Sequence, residues 1–179
     1  MTGHRYQTLC RAVAVPLLAV WTAGITPAGA EDSFTGFIVG LRDVCAEDPS
    51  RVCADRVVSF LDRDNDKYVT LQELQSAHAQ AKLALQDRAP GLSNVERNLL
   101  AVGVFTLEQA NLEKVFGTFD ADTNGKLSES ELFADFHLDE RPFGEILADP
   151  DSADWAAFTA HFGNVGKFFR KLLPPSHQK

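Results

Sequence analysis

The sequence predicts an all-α protein. Three observations carry this. Apolar residues recur at three- and four-residue intervals through most of the chain, capping residues stand where helices of that period would begin, and no segment keeps a period-two alternation long enough for a sheet. With 179 residues, 45% of them hydrophobic, the chain is long enough to bury a core, as one modest domain or two small ones. A formal charge of −8 argues against nucleic acid as a partner, because phosphate binding needs clustered Lys and Arg that are missing here.

The first thirty residues contain no Asp or Glu, place His4, Arg5 and Arg11 early, run apolar from Ala12 to Ala23 and end on Ala28-Gly29-Ala30. That order of basic, apolar and small residues predicts a secretory signal over residues 1–30, cleaved after Ala30. The apolar run is interrupted by Pro16 and falls short of the roughly 20 residues that span a bilayer, and no second run of that length follows. A periplasmic or secreted protein without stable membrane insertion is therefore expected. Without the signal the chain carries 15 basic and 25 acidic residues, a charge of −10, and of the three cysteines keeps Cys45 and Cys53. In a compartment that permits disulfides these two are expected to bond; the alternative is a pair of free thiols packed as small apolar side chains.

The remaining elements follow in order. Phe34, Phe37, Ile38, Leu41 and Val44 share one helical face behind the capping candidates Asp32 and Ser33, giving an N-terminal helix in residues 31–50 that Asp48-Pro49-Ser50 breaks. Val57, Val58, Phe60 and Leu61 mark a second helix from about Arg51, and a third runs from about Thr70 to Ala89 before Pro90-Gly91 stops it. Ser93 to Glu96 and Thr106 to Gln109 each have the capping-box spacing and predict two further helices, the second reaching Phe119. Another is expected after Lys126. Asp139 to Arg141 ahead of Pro142, and Asp151 or Ser152 ahead of Trp155, predict two more, with Gly163 as a stop.

Two twelve-residue stretches between these helices carry the chemistry. They are Asp62-Arg63-Asp64-Asn65-Asp66-Lys67-Tyr68-Val69-Thr70-Leu71-Gln72-Glu73 and Asp120-Ala121-Asp122-Thr123-Asn124-Gly125-Lys126-Leu127-Ser128-Glu129-Ser130-Glu131. Both place oxygen-bearing side chains at positions 1, 3, 5 and 9, an apolar residue at 8 and Glu at 12. Each is preceded by an apolar residue, Leu61 or Phe119, and by another three positions earlier, Val58 or Phe116. Here the chain resembles the EF-hand family of calcium-binding proteins, over roughly residues 51–85 and 107–137. The resemblance implies two bound Ca²⁺ ions. In the first loop Asp62, Asp64, Asp66 and Glu73 would supply side-chain oxygens, Tyr68 its carbonyl, and Thr70 a direct or water-mediated contact. In the second, Asp120, Asp122, Asn124 and Glu131 would do so, with the Lys126 carbonyl and Ser128. The physical basis is that a hard cation takes six to eight oxygens at about 2.3 to 2.6 Å, which alternate residues of a tight loop can aim inward.

The loops differ in two ways. Position 6 requires a left-handed backbone, free of cost for Gly125 but costing Lys67 about 1 to 2 kcal/mol. Against this, the first loop offers four ligand carboxylates and the second three. They also start 58 residues apart, at Asp62 and Asp120, where the resemblance implies about 36 to 40 between adjacent paired hands. The inserted helix in residues 86–106 accounts for the excess. Either the hands pair across it, with Val69 meeting Leu127 in a short strand bridge, or they do not touch.

The expected organisation is thus an EF-hand helix-loop-helix pair with an additional N-terminal helix, an inserted helix between the hands and a C-terminal helical segment over residues 138–179. Asp149, Asp151 and Asp154 are read as helix caps, since Pro150 intervenes and Ala160 stands where a closing Glu would be. His78, His137, His161 and His177 form no pair at metal-ligand spacing and are expected at the solvated surface. Trp155, Phe158, Phe162, Phe168 and Phe169 repeat at helical spacing and are expected to dock into the protein's own core, with Lys167, Arg170 and Lys171 beside them as the one place a protein partner or a lipid would touch. No nucleophile motif, Gly-rich phosphate loop or histidine pair points to an enzyme. Calcium is expected to stabilise the fold or to be buffered or sensed at low affinity; an accessory subunit or calcium-dependent partner-binding module is the alternative.

Overall fold

A computed structural model of the chain describes residues 33–88 and 90–172, with side chains described as far as Lys167. The expected signal segment, and the side chains of Phe168, Phe169, Arg170 and Lys171, lie outside the described residues. Those described are mostly helical: α1 (Phe34–Glu47), α2 (Ser50–Leu61), α3 (Leu71–Gln86), α4 (Asn94–Ala110), α5 (Leu112–Phe119), α6 (Glu129–Leu132), α7 (Phe143–Ala148), α8 (Trp155–His161) and α9 (Gly163–Leu172). Two two-residue strands, β1 (Val69–Thr70) and β2 (Lys126–Leu127), pair antiparallel in the register Val69 to Leu127 and Thr70 to Lys126.

Local chemistry sets the helix starts. Ser33 Oγ accepts from the Gly36 backbone N–H, and Thr70, Ser93 and Ser128 each close a reciprocal capping box with Glu73, Glu96 and Glu131, satisfying donors a helix N-terminus leaves free. Pro49 separates α1 from α2, and Cys45 and Cys53 form a disulfide across that corner with Cα atoms 4.8 Å apart. The bond fits an oxidising compartment. Among the described residues no helix is long and apolar enough to cross a membrane.

One expected boundary is corrected. Thr106 does not start a helix: α4 runs through it to Ala110, and its hydroxyl donates to the Val102 carbonyl one turn back. Nothing between Ser93 and Ala110 interrupts the helix, so a capping pattern within it has no free N–H groups to serve. The break comes at Asn111, whose backbone is left-handed at φ 66° and whose side chain caps α5.

The core lies beneath the strand pair. Val58 from α2, Phe116 from α5, Val69 and Leu127 form its buried centre, ringed by Leu61, Leu71, Leu74, Phe119, Leu132 and Phe133. The apolar residues preceding each loop therefore meet in a single cluster. Phe34 and Phe37 of α1 pack on Phe60 of α2, the Phe37 and Phe60 rings stacked with centroids 3.8 Å apart. A second aromatic group joins Phe136 to Trp155 and Phe158, and Phe158 to Phe162, so these three C-terminal aromatics dock internally as expected.

The segment after α6 is pinned by polar contacts. Ser50 Oγ donates to the Asp139 carbonyl and accepts from the Asp139 N–H, while Arg141 forms ion pairs with Asp139 and Asp149 and donates to Ser152 Oγ. Asp149 caps the short 3₁₀ turn Pro150–Ser152, and Asp154 caps α8 through the Ala157 N–H. Asp149 and Asp154 thus serve as caps, Asp149 also as a partner for arginine, whereas Asp151, expected as a cap, lies inside the 3₁₀ turn and donates its N–H to Asp149. His161 departs from the expected solvated position: its Nδ1 is 3.3 Å from Oδ2 of the buried Asp135, and its ring stands edge-on to Phe119 with centroids 4.1 Å apart. His78 is half-buried against the α4 backbone near the Val104 carbonyl.

Candidate metal centre

Each twelve-residue loop leaves one core helix and enters another element through the strand pair, so its two ends are fixed by buried residues. Leu61 and Phe119 precede the loops, Val69 and Leu127 occupy position 8, and Val69 and Leu127 are fully buried. Between those anchors the two backbones adopt the same pattern. Positions 4 and 6 are left-handed in both: Asn65 and Lys67 at φ 59° and 71°, Thr123 and Gly125 at φ 57° and 79°. Lys67 therefore occupies the conformation that its glycine counterpart adopts without a Cβ penalty.

The hydrogen bonds match as well. At position 1, Asp62 accepts from the Asp66 and Lys67 N–H groups at 3.1 and 2.8 Å, and Asp120 accepts from the Asn124 and Gly125 N–H groups at 3.0 Å each. At position 3, Asp64 and Asp122 accept from the N–H of position 5. At position 12, Glu73 Oε1 accepts from Arg63 N–H at 2.7 Å and Glu131 Oε1 from Ala121 N–H at 3.0 Å. The other oxygen of each Glu is bonded by the N–H and hydroxyl of position 9, Thr70 or Ser128. The closing carboxylate of each loop is thus also the N3 partner in the capping box of the helix that follows.

These bonds aim the carboxylates at common points. Asp62, Asp64 and Glu73 bring oxygens within 4.8 Å of one another, and so do Asp120, Asp122 and Glu131. Burial alone would raise Glu73, but hydrogen bonds from Thr70 and Arg63 outweigh it and hold the carboxyl below its ordinary value. Glu131 is lowered chiefly by the Ser128 backbone and then its hydroxyl. Both are thereby favoured as carboxylates. The convergent donors are all oxygens, the chemistry a hard cation requires, so either cluster is able to hold a metal ion.

Of the twelve residues named for the two ions, six carboxylates are brought together in these two clusters. Asn124 sits over the second, its Oδ1 accepting from the Lys126 N–H and its amide donating to Asp122. Tyr68 and Lys126 both stand at position 7, Tyr68 just ahead of β1 and Lys126 as the first residue of β2, opposite Thr70. Asp66 is the exception. It is not part of the first cluster: Oδ1 accepts from the Tyr68 N–H, and Oδ2 is 2.5 Å from the Lys126 ammonium of the other loop. That ammonium is the leading cause holding the Asp66 carboxyl below its usual range.

No family model, curated protein or solved structure matches this chain. The clusters and their symmetry are its own testimony to function. Sequence reasoning missed Lys126 as a contact of the first loop, since nothing in the local sequence shows a side chain crossing between strands 56 residues apart. It also missed the Asp135–His161 pair behind the second loop, where neither residue belongs to a recognisable spacing.

Proposed function

We propose that the protein is an exported calcium-binding protein of the EF-hand type, with two sites and no catalytic role. The first site would use Asp62, Asp64, Asp66 and Glu73 with the Tyr68 carbonyl, and the second Asp120, Asp122, Asn124 and Glu131 with the Lys126 carbonyl. The observation that carries this reading is the repetition of left-handed positions 4 and 6, of the hydrogen bonds at positions 1, 3 and 12, and of converging carboxylates, on two sequences that share few residues beyond the oxygen positions. A solvated acidic turn has no reason to recur with its carboxylates converging twice.

Calcium supplies charge neutralisation and coordination; the chain's own residues hold the backbone so that repelling carboxylates face one point. The paired strands sit directly over the core, so ion binding would stabilise the helices on both sides. In a periplasmic or extracellular setting, where such modules bind at about 10⁻⁴ to 10⁻³ M, this is a structural or buffering role rather than fast signalling. The test is calorimetric titration of the purified protein with Ca²⁺. Two sites are expected for the wild type and one for Glu131→Gln, which removes a carboxylate oxygen from the second cluster. No heat of binding and no rise in melting temperature with Ca²⁺ refute the proposal.

A further inference from the structure

The strand register places Thr70 opposite Lys126, which turns the Lys126 side chain over the first loop. Two contacts hold its ammonium there: Asp66 Oδ2 at 2.5 Å and the Tyr68 ring, whose centroid is 5.7 Å from Nζ. Both partners belong to the first loop, at positions 5 and 7. Among the described residues no ion pair of this kind reaches the second loop, where position 5 is the neutral Asn124.

We propose that Lys126 is a tethered counter-cation of the first loop, holding Asp66 apart from the cluster of Asp62, Asp64 and Glu73 so that an entering divalent ion has to displace it. The inference rests on the two-site reading above. Its chemistry is competition between two cations for one carboxylate. The ammonium satisfies Asp66 when the loop holds no metal, which relieves repulsion among four acids. It also opposes metal entry by the same interaction and by like-charge repulsion at short range. Position 5 is then neutral in both loops, by residue identity at Asn124 and by ion pairing at Asp66. Lys126 is a positioning residue for the first site through its side chain, distinct from the role of its carbonyl in the second.

The experiment uses Glu131→Gln to silence the second site, so that Ca²⁺ titration reads the first alone. Adding Lys126→Met is expected to raise first-site affinity about three- to tenfold, while Lys126→Arg, which keeps a cation, leaves it low. The second readout is the acetylation rate of Lys126 in the purified wild-type protein, measured by mass spectrometry against Lys114 as internal reference. Ca²⁺ is expected to raise the Lys126 rate, and Asp66→Asn to raise it without metal. Unchanged or weaker affinity in Lys126→Met, with acetylation indifferent to both Ca²⁺ and Asp66→Asn, overturns the role of Lys126 and leaves the two-site reading standing. A wild-type protein that binds no Ca²⁺, yet shows faster Lys126 acetylation in Asp66→Asn, refutes the two-site reading while keeping the ion pair, and with it the competition proposal falls.

Discussion

Leu127 is the point at which core, strand pair and second loop coincide, and truncating it tests whether the two loops stand or fall together. The side chain is 1% exposed and packs with Val58, Val69 and Phe116. Removing a buried leucine side chain beyond Cβ costs about 2 to 5 kcal/mol, the spread depending on how far the surroundings collapse. Here the buried centre is ringed by half-buried Leu61, Leu71, Leu74 and Leu132, which are free to move inward, so Leu127→Ala is placed near 3 kcal/mol, at the lower middle of that range. For a chain of this size the melting temperature should fall by about 6 to 12 °C. Urea denaturation of the wild type and Leu127→Ala, each in chelator and in Ca²⁺, supplies the measurement. Leu83→Ala is the control, its residue 58% exposed and its cost expected below about 0.5 kcal/mol. Because Leu127 pairs directly with Val69, first-loop affinity should also fall although no residue of that loop has changed. A loss under about 1 kcal/mol, or an effect confined to the second site, refutes the shared-core account.

Three further outcomes are expected. Lys67→Gly relieves a left-handed backbone at φ 71° on an exposed residue, so stability should rise by about 0.5 to 1 kcal/mol in denaturant melts and first-site affinity should rise with it; a loss would show that the lysine side chain is needed. Cys53→Ser opens a covalent loop of sequence separation 8 and should cost about 2 to 3 kcal/mol, with the wild type in reductant falling to match it. Asp149, held at about 2 chiefly by the Ser152 hydroxyl and then by Arg141, contributes stability that is complete above the ordinary carboxyl value and lost as pH falls through about 2; carboxyl NMR should follow that titration, and Arg141→Ala should return it toward 3.8.

Much of the candidate site is legible in the sequence because its determinants are local. Alternating oxygens, a turn residue at position 6 and a capping box at positions 9 and 12 all act within twelve residues, and the structure uses each. Helix starts at Ser33 and Ser93 were legible for the same reason, while the meeting of Val69 with Leu127 was one of two alternatives the sequence left open, and the structure has them paired. The misread start at Thr106 shows the limit of a local pattern: a capping sequence has meaning only where a helix begins, and that depends on what precedes it. Side-chain contacts between distant segments were not legible. Lys126 meets Asp66 only through the register of the strand pair, and Asp135 meets His161 only because α8 folds back beside the segment after α6. Gly166 is a further case, since a Cβ there would lie 1.6 Å from the Thr159 carbonyl oxygen where α8 and α9 cross, and no turn or motif marks it.

The strand pair also sets a kinetic order. Joining Val69 to Leu127 closes 58 residues of chain, about 20 more than two adjacent helix-loop-helix units need, and the added closure entropy is only about 0.4 kcal/mol. An extra helix therefore fits between the loops at little equilibrium expense. Its burden falls on speed, because contacts of long sequence separation form late and slow the approach to the native state. The corner tied by Cys45 and Cys53 and the α8–α9 hairpin involve neighbours in sequence and can organise early. A newly made chain thus has to complete this 58-residue closure before its two loops are seated on a common core.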